Sequence, residues 1–193
     1  KLIADIFNVN SAMEHQYDLP FQYSGSLINT SFKYKAFSKQ QETLGNKNGY
    51  QFLWKDAEAT AADTTVQFTF LKGGTYYSIS SLLQDSAKLF FTRTGANDPN
   101  FNLRREPAYI IRKSGKNQLF INLIEIHGSY DPVIEFSSNS YPAVKQIKLL
   151  QNDEQLTMAS CMVGNKQLLI AQCKKDFDKK RKPAFKQNVI NIK

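Results

Sequence analysis

The sequence predicts an all-β fold, an antiparallel β-sandwich of roughly a dozen short strands. Three observations carry that expectation. Apolar and aromatic runs of strand length recur along the 193 residues, separated by Gly, Pro, Asn and Asp. Aromatics make up 12%, with 14 Phe and 9 Tyr, a usage that suits pleated sheets. No helical periodicity is sustained, no internal repeat is visible, and many short strands with frequent turns are the pattern of a sandwich.

Residues 1–10 read as a first strand. Residues 14–25, polar and aromatic and closed by Pro20 and Gly25, read as a loop or edge segment. A strand is expected within 28–34, a turn-rich loop over 37–48, an aromatic strand over 50–54 and a small polar loop over 56–63. The clearest local signal follows. Residues 66–70 alternate, Gly73-Gly74 turns, and 76–82 return, which is a β-hairpin.

Leu89-Phe90-Phe91 and Ala108-Tyr109-Ile110-Ile111 enter and leave a loop over 93–107. That loop holds Asn97, Pro99, Arg104, Arg105 and Pro107. Its prolines fix their own φ and push Asp98 and Glu106 towards extended conformations. The expected product is a stiff loop presenting guanidinium groups, whose planar fork matches a carboxylate. The alternative is a strand edge whose arginines pair locally and do nothing else.

Residues 114–117, Ser-Gly-Lys-Asn, are expected to close a hairpin between 109–112 and 119–126. A turn is expected over 127–132. Strand candidates follow at 133–136, 143–150, 155–162 and 167–172. The tail carries the one dense charge run, residues 174–183, read as a solvated turn or as a patch for a polyanion. Residues 189–192 could add a last strand.

Cys161 and Cys173 are the two cysteines. A two-residue Gly164-Asn165 turn would set Val163 opposite Lys166, Cys161 opposite Leu168 and Cys173 opposite Leu156. The thiols would then lie too far apart to bond, so free and buried cysteines are expected. No CxxC pattern points to zinc.

One domain, 1–193, is the natural prior for this length. The chain opens within a strand-like run, so a fragment of a longer protein is expected. Net charge is +8 with a pI of about 9.4, an excess that favours nucleic acid, anionic lipid or an acidic polysaccharide. No run is long enough to span a bilayer, and no nucleic-acid-binding signature is present.

Several segments, in order, resemble a known family. Glu14-His15-Gln16-Tyr17-Asp18-Leu19-Pro20-Phe21 resembles the H-x-Y-D-L-P segment of the β-sandwich domain of heparinase II/III-like polysaccharide lyases. Asn48-Gly49-Tyr50-Gln51-Phe52-Leu53-Trp54 resembles their N-G-Y-Q-H-L-W segment. Gly95 to Pro99 with Asn102-Leu103-Arg104, and then Ile124-Glu125-Ile126-His127-Gly128, extend the likeness. The alginate (oligoalginate) lyase branch is the nearest in pattern.

The resemblance implies an N-terminal helical toroid ahead of this β domain, with the active site in the cleft between them. It implies that the helical part supplies an Asn, a His and a Tyr, and that the β domain lines the channel and adds a tyrosine, here Tyr50. The fragment alone would then be inactive. Arg104, Arg105, Asn97 and His127 become candidates for binding an anionic polysaccharide. His15 becomes a candidate zinc ligand, although the family's second imidazole is Phe52 here. A periplasmic or secreted parent protein is implied as well. The competing readings are a non-catalytic carbohydrate-binding or structural packing domain and, last, a basic nucleic-acid binder.

A uronate lyase removes the proton α to a carboxylate and expels the glycosidic oxygen. Cations must neutralise that carboxylate for the enolate to form. A Tyr hydroxyl can give or take the proton when nearby cations lower its pKa from about 10.

Overall fold

A computed structural model describes residues 1–62, 64–94 and 106–174. Asn97, Arg104, Arg105, most of the basic tail and residues 189–192 lie outside the described residues. The described chain is all-β, with strands and a single 3-10 turn and no α-helix. It forms two compact units, Lys1–Pro142 and Ala143–Lys193.

The first unit is a nine-stranded antiparallel sheet folded over on itself. Its strands are β1 (Leu2–Gln22), β2 (Ser26–Thr30), β3 (Lys35–Ala36), β4 (Leu53–Ala61), β5 (Thr64–Lys72), β6 (Thr75–Leu83), β7 (Ala87–Thr94), β8 (Pro107–Asp131) and β9 (Phe136–Ser138). The spine is β8. Its first half pairs with β7, its second half with β6, and β1 runs alongside both halves.

Between the halves the sheet bends. The register of β1 slips between Asn10 and His15, so that six residues of β1, 10–15, face three of β8, 115–117. Gly115 takes φ 144 at the same place. Extra residues in one strand bend it and increase its twist. Lys113 Nζ donates to the Leu119 carbonyl at 2.8 Å and Gln118 Nε2 to that of Ser114 at 2.9 Å, fastening the bend from both sides.

The fold brings the inner faces of the two layers together. Phe68 of β5 packs on Tyr109 of β8 with ring centroids 4.4 Å apart, and Phe91 lies 5.3 Å from Tyr109. Val66, Phe70, Ile79, Leu89 and Ile111 fill the rest of this core. Small residues line β4 where large ones line β7: Ala57 faces Phe91 and Ala59 faces Leu89.

Several expectations are corrected here. Residues 114–117 do not turn back: both flanking runs belong to one strand because each pairs with a different half of β1. Of the two readings of residues 14–22, loop or edge segment, the edge reading holds: they continue β1, which pairs with β8 alone. Pro20 is tolerated on this edge because it sits at a non-hydrogen-bonded pair: the Tyr23 N–H donates to the Pro107 carbonyl, so alternation turns the N of Pro20 away from β8. Residues 56–61 are strand, not loop. The strand expected to begin at residue 50 starts at Leu53, after the 3-10 turn Tyr50–Phe52. The turn near 127–132 falls at 132–135 instead, after β8 has run to Asp131.

The second unit, as described, is a three-stranded antiparallel sheet: β10 (Val144–Asn152), β11 (Leu156–Val163) and β12 (Lys166–Cys173). Its β11–β12 register is the expected one, with Val163 opposite Lys166, Cys161 opposite Leu168 and Leu156 opposite Cys173. Both thiols are free. Cys161 is buried, whereas Cys173 is exposed, contrary to expectation.

Candidate functional site

The outer face of the β3–β4–β7–β8 layer carries the site. Side chains alternate across a strand, so directly opposed residues share a face. Thr60 of β4, Lys88 of β7, Arg112 of β8 and Asp18 of β1 form one such row. The next row holds Glu58, Phe90, Ile110 and Pro20. A register slip between Lys55 and Ala57 lets Lys55 and Glu58 stand on this same face.

The segment before β4 folds back over the face. Leu44 N–H donates to the Leu53 carbonyl at 2.7 Å, and Thr43 bridges Trp54. Gly49 adopts φ 88, a left-handed conformation that a side chain would strain, and so starts the turn carrying Tyr50. A Cβ on Gly45 would meet Tyr50 Cβ at 3.0 Å, so the backbone there lies close beneath the ring. Leu44, Phe90, Ala108 and Ile110 make a small buried cluster, and Tyr50 and Leu53 pack against it.

Asp18 and Arg112 form the centre of charge. Arg112 Nε and Nη2 donate to the two Asp18 carboxylate oxygens at 2.8 and 2.7 Å. The guanidinium lies 4.9 Å from the Phe90 ring centroid and 5.6 Å from that of Tyr50. Partial burial raises the Tyr50 phenol above its usual pKa. Its hydrogen bond to Asp18 and the Asp18 charge raise it further, and Arg112 opposes both. The cation is therefore outweighed here, and Tyr50 stays protonated at neutral pH.

Beside this cluster is a cavity of about 600 Å3. Lys33, Lys35, Lys55, Lys88 and Arg112 line it, against one acid, Glu58; Leu44 and Phe90 supply apolar wall. Lys55 is committed to Glu42 at 2.9 Å and to Glu58 at 3.6 Å. Lys55 holds the Glu42 carboxyl below the usual range. Lys33 and Lys88 make no ion pair among the described residues. A second cavity, about 780 Å3, is charge-balanced: Arg93 and Lys72 face Asp56 and Glu106, with Arg93 and Asp56 paired at 2.6 Å. The first cavity is the one with uncompensated positive charge.

Of the residues named from the sequence, Tyr50 stands at this site. His127 lies near the far end of β8, opposite Tyr76 of β6. Its Nδ1 lies 2.7 Å from the Asn139 carbonyl, which can only accept, so the neutral ring carries its proton there. Nε2 then accepts from Ser78 Oγ at 2.8 Å, and Ser78 Oγ lies 2.6 Å from Thr69 Oγ1. Both ring nitrogens are thus engaged within the protein.

His15 is exposed at the irregular stretch of β1, with Tyr17 as an edge-on neighbour at 6.0 Å. Zinc takes three or four close ligands. Among the described residues no three His, Cys, Asp or Glu side chains converge to hold a metal. The described donor set does not fit zinc at His15.

Sequence reasoning missed Asp18, Arg112, Lys33 and Lys88. Asp18 was in view within the H-x-Y-D-L-P likeness. Arg112 continues the period-2 face of Ala108 and Ile110, but its partner becomes visible only once β1 is seen to run on to Gln22.

No family model matches the chain. Two curated proteins are similar to it. An exo-oligoalginate lyase of Saccharophagus degradans is 33% identical over 151 residues, covering 76% of this chain and 20% of that protein. An alginate lyase of Stenotrophomonas maltophilia is 33% identical over 147 residues, with the same coverage. The resemblance read from a few short segments therefore extends over three quarters of the chain. The chain spans about a fifth of the length of these relatives.

Proposed function

We propose that this chain is the β-sandwich part of a larger polysaccharide lyase that cleaves a uronate polymer such as alginate by β-elimination. The carrying observation is the cavity with five cations and one acid beside the Tyr50–Arg112–Asp18 cluster. The similarity to two lyases named for alginate supports the substrate class.

In this reading Lys33, Lys88 and Arg112 meet the carboxylates of the polymer. Neutralising the carboxylate lets negative charge develop at its α carbon. The α C–H bond breaks and its electron pair becomes the new C=C bond. The β C–O bond breaks, and the departing glycosidic oxygen needs a proton. Tyr50, kept protonated by its surroundings, suits the donor role. The base that takes the α proton comes from another part of the protein, in the helical domain that the resemblance implies. Because the substrate is a polymer, the parent protein is placed in the periplasm or outside the cell. Among the described residues no helix is long and apolar enough to cross a membrane.

The test is Tyr50→Phe in the complete protein, with growth of ultraviolet absorbance from the unsaturated product as readout. Loss of a proton donor predicts a fall in kcat of about 10²–10⁴-fold. The second reading, a domain that only binds or packs, is favoured by the packing of Tyr50 on the Leu44–Phe90 cluster. It predicts turnover unchanged by the loss of the hydroxyl.

A further inference from the structure

We propose that Asp18 and Arg112 are the positioning pair of Tyr50: the carboxylate locks the guanidinium plane, and together they hold the phenol next to Arg112, which lines the cavity. This rests on the reading of Tyr50 as the group that meets substrate.

The geometry supports it in three ways. First, the pair is fully forked, with each Asp18 oxygen taking one guanidinium N–H. Both side chains are largely withdrawn from solvent, 7% exposed for Asp18 and 15% for Arg112. A surface ion pair contributes little and moves freely; a forked, buried one has one arrangement. Second, the locked guanidinium lies within cation–π reach of two rings, 4.9 Å from Phe90 and 5.6 Å from Tyr50. A shift of Arg112 therefore weakens its contact with the Tyr50 ring. Third, Tyr50 sits on a three-residue 3-10 turn with no buried residue of its own. Such a turn is too short to hold a side chain by itself, so the ring depends on what it packs against, the Leu44–Phe90 cluster and the guanidinium.

The two partners act on the phenol in opposite senses. The Asp18 carboxylate beside the phenol disfavours its anion and so keeps the proton in place before reaction. Arg112, 5.6 Å from the ring centroid, works the other way and offsets the negative charge left when that proton goes to the departing sugar oxygen. The charged groups around Tyr50 are Asp18 on β1, Arg112 on β8 and Lys88 directly across from Arg112 on β7. Lys47, on the same loop, touches it through the backbone, its carbonyl accepting from Tyr50 N–H.

The experiment uses the complete protein and two readouts. Tyrosinate absorbance is titrated in wild type and in Y50F, and the difference isolates Tyr50. Asp18→Asn, which keeps shape and removes charge, is expected to lower that midpoint. It is also expected to reduce kcat by about 10–100-fold with KM changed less than about threefold, the mark of a misplaced group. Arg112→Lys keeps the charge and loses the fork. It is expected to lower kcat similarly and to raise KM as well, because Arg112 lines the cavity. An unmoved Tyr50 midpoint and an unchanged kcat in Asp18→Asn and Arg112→Lys overturn the positioning role. Full activity of Y50F instead overturns the catalytic reading, and the absorbance titration still decides whether Asp18 sets the phenol.

Discussion

Asp18 of β1 and Arg112 of β8 stand directly opposite each other, 94 residues apart in the chain, and share two hydrogen bonds of 2.8 and 2.7 Å. Their register ties one half of β1 to the layer that holds the cavity. Removing one member of such a part-buried pair leaves the other charge with one hydrogen-bonding side unmatched. Asp18→Ala is expected to cost about 1–3 kcal/mol, less than for a fully buried pair because Arg112 still faces the cavity. Urea unfolding checks this. Asp18→Leu combined with Arg112→Met should recover part of the loss, because the apolar pair leaves no stranded charge.

Lys33 and Lys88 bring charge to the cavity without holding the fold together. Lys33→Gln with Lys88→Gln is therefore expected to leave the melting temperature of the complete protein within about 2 °C of wild type, since surface changes seldom exceed ~0.5 kcal/mol. Its KM for alginate should rise about fivefold or more with kcat nearly constant, as for uniform binding lost. The salt dependence of KM should flatten, because fewer ionic contacts remain to be screened. An unchanged KM would place the polymer elsewhere.

Short-range features were legible from sequence. Gly164-Asn165 specifies a two-residue turn, and a two-residue turn dictates the whole β11–β12 register, down to Cys161 opposite Leu168. The same holds for Gly73-Gly74 between β5 and β6. Long-range features were not legible. Ser114-Gly115-Lys116-Asn117 has turn chemistry, and whether it reverses the chain or bends it depends on β1, a hundred residues away. Residues 57–61 alternate alanine with polar residues, a strand pattern whose apolar side is small because Phe91 and Leu89 stand opposite. Tyr50 was found through a family likeness. The Asp18–Arg112 fork is a consequence of register, which no local pattern reveals.

Tyr109 lies in the aromatic core among Phe21, Phe32, Phe68 and Phe91. It is 1% exposed, and its hydroxyl finds no partner among the described residues. Burial pushes its phenol far above the usual value. A buried hydroxyl without an acceptor costs about 1–3 kcal/mol. Tyr109→Phe keeps the ring contacts and removes that burden. Stability is expected to hold or to rise by about 1 kcal/mol, as read from the urea midpoint. A marked loss of stability would mean that the hydroxyl has a partner.

Lys113 makes the fold's stability depend on pH. It is 3% exposed at the bend of β8, with Nζ on the Leu119 carbonyl at 2.8 Å and 4.9 Å from the Phe120 ring centroid. Burial lowers its pKa from 10.5 to about 8, and Asp85 offsets only part of this. The unfolded lysine therefore holds its proton more tightly than the folded one. Below about pH 8 both states are charged, and folding bears the full cost of burying an ammonium group. Between about 8 and 10.5 the folded lysine is neutral while the unfolded one is still charged, so stability rises with pH across that window. The slope for one proton is about 1.4 kcal/mol per pH unit, and the whole gain is on the order of 3 kcal/mol. Other groups titrate in the same range, so the measurement is a difference. Urea unfolding of wild type and of Lys113→Met is compared from pH 7 to 10.5. The variant should lack this rise, and its advantage over wild type should shrink as pH increases. A constant difference across the window would show that Lys113 keeps its proton in the folded protein, with the Leu119 carbonyl and the Phe120 ring holding the charge.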